Sequence, residues 1–308
     1  MLCSTIIPTI GRPALQRAVE SVLAQDLPAS ALEVIVVNDS GVPLPEADWQ
    51  SSKQVQIINT NRRERSIARN TGAAAAKGQF LHFLDDDDWL FPNVYQYLEK
   101  LSNASSAKWL YGMTQLVNRQ NDPLIQLRHD LKGNCFIQAM AGEWIPLQAS
   151  WIERTTFMRV GGFNPLLAGP EDIDLQRRIL LEEDVAETSN LIVNVIMGGE
   201  GSTTDYDRHP QASRAARENI LNLPNVFQRM EASANNPTWH GRMTRVYLTS
   251  AVWNLQRRYW TTAASRGLFA IASLLNTGVF LADFWRAVLR PYASSTFEAG
   301  LQEASASQ

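Results

Sequence analysis

The chain has 308 residues, 45% of them hydrophobic, with 28 lysines and arginines against 31 aspartates and glutamates and a net charge of −3. That length fits one large or two small domains, and the apolar share is enough to bury a sizeable core. The slightly acidic balance argues against nucleic-acid binding. Two cysteines, Cys3 and Cys135, are too few for a disulfide framework, and no uncharged apolar run reaches the roughly 18 residues that span a bilayer. The first residues lack the basic and apolar regions of a leader and read as a strand. With two free thiols, the expected location is cytoplasmic.

Residues 2–7 read as the first strand and Pro8-Thr9-Ile10-Gly11-Arg12 as the turn after it. Pro13 suits the first turn of a helix, and Leu15, Ala18, Val19, Val22 and Leu23 give that helix one apolar face. After a loop at 25–30, residues 32–37 are a near-continuous apolar run with one glutamate, the pattern of a parallel strand covered on both faces. Asn38-Asp39-Ser40-Gly41 closes it with turn chemistry. Residues 43–53 are polar and proline-bearing, a surface loop, and 55–58 form a third strand. Arg62, Arg63 and Arg65 precede an alanine-rich stretch, 67–77, predicted as a helix with Lys77 in its last turn and Gly78 at its stop. Phe80, Leu81, Phe83 and Leu84, interrupted by His82, make a buried strand. Asp85-Asp86-Asp87-Asp88 follow at once, and Pro92 ends the segment.

Four adjacent carboxylates repel one another. Such a run is either a solvated loop or a cation site. Aspartate is a poor strand and helix residue, and solubility does not call for four beside an apolar strand, which favours the cation. Hard oxygen ligands of this kind suit Mg²⁺ or Mn²⁺, and ligands bind at the carboxyl ends of strands in an open α/β sheet. Taken together, Ala68-Arg69-Asn70-Thr71-Gly72, the glycine-bounded turn and Phe83-Leu84-Asp85-Asp86-Asp87-Asp88-Trp89 with Pro92 resemble the central signature of family 2 (GT-A fold) glycosyltransferases. The resemblance implies that Asp85-Asp86-Asp87 is the Asp-x-Asp element holding a divalent metal on the diphosphate of a nucleotide-sugar, with Asp87 and Asp85 as ligands and Asp86 and Asn70 beside the donor.

The opening β-α-β segment resembles the nucleotide half of the same family in Ile7-Pro8-Thr9, in Ser21-Val22-Leu23-Ala24-Gln25 and in Asn38-Asp39-Ser40-Gly41. The last departs from the family's Asp-Asp-Gly-Ser, with asparagine first and the Gly-Ser order inverted. Asp39 is kept, and the resemblance makes it the contact to base or ribose, whose N–H and hydroxyl donors a carboxylate accepts. Pro8, Thr9 and Arg12 are further candidate nucleotide contacts. Arg65 and Arg69 pair with nearby acids, lie in solvent or grip the donor diphosphate, for which a guanidinium is geometrically suited.

Residues 93–101 are a predicted helix, 103–106 a turn, 109–117 a strand returning into the sheet, and 119–135 a polar loop that would close over the donor. Residues 144–151, from Trp144 to Trp151, fit either a core strand or an acceptor surface. Gly161-Gly162-Phe163, then Glu171-Asp172-Ile173-Asp174-Leu175-Gln176-Arg177-Arg178, resemble the family's acceptor half, although acids in a first turn also suit the helix dipole. Residues 190–197 form another strand. The family often places a metal-binding histidine just beyond; here the turn is 197–204 and has none, leaving Glu200 or His209 as substitutes. Residues 212–229 read as one arginine-rich helix and Asn235-Asn236-Pro237 as a boundary. Stretches 242–258, 261–275 and 279–289 are amphipathic helices with Trp253, Trp260, Phe269, Phe280, Phe284 and Trp285. They form an extension packed on the main domain or a basic aromatic surface for a membrane. The residues after 297 read as a disordered tail.

The resemblance covers about residues 1–205. It implies a GT-A domain over 1–235, α/β with a Rossmann-like, mostly parallel sheet and flanking helices. That domain would divide into a nucleotide-sugar half, 1–118, and an acceptor half, 119–235, followed by a helical extension, 236–296, and a tail, 297–308. The implied activity is metal-dependent, inverting hexosyl transfer from a UDP- or dTDP-type nucleotide-sugar to a hydroxyl of a carbohydrate, lipid-linked or protein acceptor, in polysaccharide, glycolipid or glycoconjugate synthesis. A metal offsets the charge building on the departing diphosphate, and a general base takes the acceptor proton. Asp172 is the first candidate for that base and Glu171 the second. A prenyl-synthase Asp-Asp-x-x-Asp motif fails at Trp89, and Pro8-Thr9-Ile10-Gly11-Arg12 is a poor match to a nucleotidyltransferase loop. A catalytically inactive nucleotide-sugar-binding or metal-binding regulator is the alternative.

Overall fold

The computed structural model describes residues 1–60, 64–167, 169–197, 210–275 and 277–291. Nine strands build one sheet: β1 (Cys3–Thr9), β2 (Leu32–Asn38), β3 (Val55–Asn59), β4 (Phe80–Phe83), β5 (Trp89–Leu90), β6 (Trp109–Val117), β7 (Pro123–Leu127), β8 (Ser150–Glu153) and β9 (Val185–Ile196). Their order is β3-β2-β1-β4-β8-β6-β9-β5, with β7 paired to β6. β1, β2, β3, β4, β6 and β9 point one way; β5, β7 and β8 run against them. The sheet is thus mostly parallel, as expected.

Alternation of side chains splits the core between the two faces. Ile7, Val34 and Val36 face α1 (Leu15–Leu23) and α3 (Val94–Ala104). Ile6, Ile35 and Val37 face the layer of α2 (Arg65–Ala75), α4 (Phe136–Ala141), α6 (Glu171–Leu180) and α8 (Val226–Ser233). Burying each of these branched side chains contributes roughly 1.5–3 kcal/mol. The glutamate inside β2 is satisfied rather than stranded: Glu33 accepts from Ser4 Oγ at 2.6 Å and from the Lys77 amide at 2.7 Å.

That contact explains where α2 ends. The helix starts at Arg65, earlier than its apolar pattern suggests, because the Glu64 carboxylate caps the amides of Ser66 and Ile67. It stops at Ala75, before Lys77, whose amide is already committed to Glu33. Gly78 is not a left-handed helix stop. A Cβ there would lie 2.5 Å from the Ser4 amide nitrogen, so the glycine lets the chain cross β1 at close range.

Other departures are local. α1 begins at Leu15, so Pro13 precedes it instead of occupying its first turn. The 43–53 loop contains a short 3-10 turn, Asp48–Ser51, that buries Trp49 under α1. The polar 119–135 segment contains β7, folded back on β6 through a turn in which Asn118 Oδ1 accepts from the amides of Gln120 and Asp122 and Asn121 takes φ 68°. The 144–151 stretch is core: Trp151 is buried on β8 and Leu147–Ala149 is a 3-10 turn. The predicted 212–229 helix is two helices, α7 (Pro210–Leu221) and α8, separated at Asn222-Leu223-Pro224-Asn225. Glu200, His209, Arg62, Arg63 and the 297–308 tail lie outside the described residues.

The C-terminal helices are α9 (Pro237–Gln256), α10 (Trp260–Ser273) and α11 (Ala282–Leu289). Met243, Val246, Tyr247 and Ala270 join the α2-side core, and Phe227, Tyr247 and Phe269 stack with centroids 5.0–5.8 Å apart. The extension therefore packs on the sheet domain. Among the described residues no helix is long and apolar enough to cross a membrane.

Candidate active site

β1 outlasts its neighbour β4. The two pair only from Cys3–Phe80 to Ile6–Phe83, while β1 stays with β2 as far as Thr9. Pro8, which has no N–H, sits in this unshared end of the strand, where one side of the ladder is already released. The chain leaves the sheet after the Leu84 amide donates to the Ile6 carbonyl at 3.0 Å. A crevice at strand carboxyl ends results, and the four aspartates turn within it, the Asp88 amide donating to the Asp85 carbonyl at 3.1 Å.

Each aspartate has a different environment. Asp86 is buried and accepts from Thr9 Oγ1 at 2.6 Å and Arg12 Nη1 at 2.7 Å, tying the turn after β1 to the acidic segment. Asp88 is buried with its Oδ1 on the Ile196 amide; desolvation, then repulsion from Asp85 and Asp87, pushes its pKa well above the carboxylate range. Asp85 is partly exposed and accepts from Arg69 Nη2 and Gln148 Nε2, both at 2.7 Å. Burial alone would raise its pKa, but the Arg69 charge and these two hydrogen bonds outweigh it and hold Asp85 below its ordinary value. Asp87 is also partly exposed, with one oxygen 3.6 Å from Arg12 Nη1. Desolvation, then the charges of Asp85 and Asp86, raise its pKa.

Arg69 spans the site. Its buried guanidinium reaches Asp85 on one side and Glu171 Oε1 on the other, at 3.4 Å, over the Phe163 ring. Glu171 also takes Arg65 Nε at 3.2 Å and is itself buried. It opens α6, and Asp172 is next, half-buried, with Oδ1 on the Ile173 amide at 2.8 Å. Burial raises the pKa of both acids, and for Glu171 the neighbouring Asp172 charge adds to it. Asp174 and Arg178, one turn apart, form an ion pair of 2.7 Å, and Arg178 donates to the carbonyls of Val160 and Gly162. The Gly-Gly-Phe loop is gripped a second time by Asn70, whose amide donates to the Phe163 carbonyl and accepts from the Phe163 amide. Gly162 takes φ 66°, and a Cβ there would lie 2.6 Å from Asn70 Oδ1.

Several candidate donor contacts are thus engaged within the protein. Asn70 clamps a loop, Arg69 bridges two acids through its two terminal nitrogens and Asp86 fastens β1. Asp39 stands at the end of β2, its amide on the Thr9 carbonyl at 2.8 Å, and its carboxylate accepts from Thr60 Oγ1 and the Glu64 amide, both at 2.5 Å. Arg12 and Arg65 keep exposed surface beside the crevice, 33% and 40%.

One member had no signature in the sequence. Gln148 is positioned by a buried relay. Its carbonyl can only accept, so His82 Nε2 carries the proton it donates there at 2.8 Å, and His82 Nδ1 accepts from Tyr95 Oη at 3.1 Å. Thr5 Oγ1 completes the chain by donating to Tyr95 Oη. Desolvation keeps His82 neutral, with its pKa lowered to about 4. The histidine that interrupted an apolar strand therefore supports the side chain that holds Asp85.

Among the described residues, no group of three or more His, Cys, Asp or Glu is arranged to hold a metal ion. Mg²⁺ commonly needs less than that from a protein: one or two carboxylates, with waters and substrate phosphates completing the shell. Asp85 and Asp87 fit this role. They are the aspartates of the run that retain exposure, and the pKa of Asp87, raised by burial and then by the charges of Asp85 and Asp86, marks negative charge that a cation would offset.

The sequence model of glycosyl transferase family 2 matches residues 4–144. An uncharacterized glycosyltransferase of Haemophilus influenzae is 28% identical over 190 residues, 59% of this chain and 63% of that one. The poly(ribitol-phosphate) beta-N-acetylglucosaminyltransferase TarP of Staphylococcus aureus is 27% identical over 115 residues, 35% of each chain. The chain thus spans less than two thirds of either relative. The crystal structure of S. aureus TarS 1–349 in complex with UDP-GlcNAc superposes with a TM-score of 0.62 at 14% identity, over 86% of this chain and 90% of that one. Residues 4–144 thus match the sequence pattern of glycosyl transferase family 2, and the chain has the GT-A fold.

Proposed function

We propose that this chain is an inverting, divalent-metal-dependent glycosyltransferase. It moves a sugar from a UDP- or dTDP-type nucleotide-sugar to a hydroxyl of a carbohydrate, lipid-linked or protein acceptor. The observation that carries this reading is the Arg69 bridge between Asp85 and Glu171, which joins the acidic run at the end of β4 to the start of α6, where Asp172 lies. Residues 1–118 form the nucleotide-sugar half and 119–235 the acceptor half. The UDP-GlcNAc bound in TarS supports the UDP option for the donor.

In this reading Asp39, Pro8 and Thr9 face the nucleoside at the strand ends, and Arg12 and Arg65 approach the diphosphate. Asp85 and Asp87 would hold the metal, which would supply positive charge against the departing diphosphate. Asp172 takes the acceptor proton as the hydroxyl attacks the anomeric carbon opposite the leaving group, which inverts the configuration. Its raised pKa suits a base that must hold a proton after the transfer. Glu171, fixed by two arginines, sets the start of α6.

The test is turnover of UDP- and dTDP-sugars with Mn²⁺, for wild type and Asp172→Asn, beside thermal shift with the matching nucleoside diphosphate. The variant should lose about 10²–10⁴-fold in rate while keeping the nucleotide-induced shift. Wild-type turnover in the variant removes Asp172 from the role. A nucleotide shift with no transfer by wild type to any acceptor favours the regulatory alternative.

A further inference from the structure

Helices α9, α10 and α11 pack as one layer. Thr244 Oγ1 and Ser273 Oγ hydrogen-bond at 2.7 Å between α9 and α10, and Arg242 and Arg245 donate to the Ala287 and Val288 carbonyls of α11. Each helix buries one face and leaves an apolar stripe on another. On α9 the stripe is Leu248, Val252 and Leu255; on α10 it is Leu268 and Ile271, continued by Leu275 just past the helix end. Trp285 and Leu289 repeat the spacing on α11. Of the 20 exposed large apolar side chains among the described residues, 12 fall within 248–289, reaching 88% exposure at Phe280. Such a concentration marks an interaction surface rather than scattered exposure.

The charge of the segment names the partner. Residues 236–291 hold seven arginines (Arg242, Arg245, Arg257, Arg258, Arg266, Arg286, Arg290) and one acid, Asp283, a net of seven minus one, or +6, in a chain of net −3. At the corner between α9 and α10, the exposed pair Arg257-Arg258 adjoins the exposed pair Tyr259-Trp260. Arg257 lies over the Trp253 ring at 3.7 Å, and Arg258 takes φ 63°, a conformation uncommon outside glycine and asparagine. Arginine beside Tyr and Trp is the composition of a bilayer's headgroup region, and an apolar stripe rimmed by arginine is that of helices lying in it. A second copy of the chain would bring two faces of like charge together.

We propose that the α9–α11 layer docks this chain on an anionic bilayer surface, with Trp260 and the α10 stripe entering the headgroup boundary and Arg257 and Arg258 meeting lipid phosphates. Docking is a property of this layer and needs no sugar transfer, so it stands or fails separately from the proposed activity.

The experiment is flotation of the full chain with phosphatidylcholine vesicles and with vesicles containing added phosphatidylglycerol. The chain should float with the anionic vesicles and stay behind with pure phosphatidylcholine. Each exposed arginine near such a surface is worth about fivefold in affinity, so Arg257→Ser with Arg258→Ser should weaken binding about 25-fold. Leu268→Ser with Ile271→Ser and Leu275→Ser should abolish it, at an unchanged melting temperature. No flotation with anionic vesicles, or flotation indifferent to the arginine pair, overturns the proposal. A dimer by light scattering that the serine variant dissolves, without vesicle binding, assigns the face to a second copy instead.

Discussion

Replacing Arg69 with methionine keeps the apolar stem and removes the charge that joins the two acidic groups. The guanidinium meets Asp85 at 2.7 Å and Glu171 at 3.4 Å. Removing one member of a buried ion pair costs about 3–5 kcal/mol because its partners keep their burial and lose their counter-charge. The low end applies here. The Asp85 side chain is 31% exposed and keeps Gln148, and Glu171 keeps Arg65. A loss of about 3 kcal/mol lowers the melting temperature by roughly 5 °C in a chain of this size. The loss also depends on pH, with a definite sign. Arg69 holds the folded-state pKa of Asp85 below its unfolded value, so this stabilisation is present above the unfolded value and fades as pH falls through the folded one. In Arg69→Met, burial is opposed only by the Gln148 hydrogen bond and the Arg65 charge, and the folded protein takes up a proton more readily. The stability gap between wild type and variant should therefore narrow between about pH 7 and about pH 3, chiefly below the unfolded value of about 4. Urea unfolding at both ends of that range reads it directly. A loss below about 1 kcal/mol, the ordinary worth of an exposed pair, or a gap that widens in acid, would refute the bridge as the element joining the two halves of the site.

The relay through His82 makes a second prediction. His82→Phe leaves the Gln148 carbonyl and Tyr95 hydroxyl without their partner, a cost of about 2 kcal/mol at neutral pH. Its folded pKa of about 4 lies below the unfolded value, so wild type should lose stability as pH falls from about 6.5 toward 4, and the variant should lose less over that window in the same urea titrations. Gly78→Ala should cost about 1–3 kcal/mol, because its new methyl would meet Ser4 backbone at 2.5 Å. Gly267→Ala, mid-helix in α10 with nothing within 4 Å, should instead stabilise by up to about 1 kcal/mol. Melting temperatures of the two variants test both signs at once.

Regular features were legible where a local pattern fixes them. The apolar run of β2, the strand of residues 109–117 and the acidic start of α6 were readable because burial and capping follow the letters nearby. Asp85–Asp88 and Glu171-Asp172 could be flagged as chemistry but not divided by role. That division rests on partners far away in sequence: Thr9 for Asp86, Ile196 for Asp88, and Arg69 for both Asp85 and Glu171. Asn70 looked like a donor contact because its neighbours carry a signature; its clamp on Phe163, 93 residues on, is invisible until the chain folds. Gln148 gave no signal, since an amide becomes a site residue only through what it meets. The α2 end was misplaced for the same reason, its stop being set by Glu33 on another strand. The break between α7 and α8 falls at Pro224, a residue that the reading of 212–229 as one arginine-rich helix passed over.

In the proposed activity Asp85 and Asp87 hold a divalent cation against the diphosphate of a nucleotide-sugar. The most direct measurement is thermal stability of wild type and Asp87→Asn with UDP, each with and without Mn²⁺. Asp87 pairs only loosely with Arg12, at 3.6 Å, so the variant should fold and melt like wild type without ligand. Wild type should show a UDP-induced rise that Mn²⁺ enlarges, as binding to the folded state requires, and Asp87→Asn should lose the metal-dependent part. A UDP-induced rise that ignores Mn²⁺, or one enlarged equally in the variant, would contradict the claim.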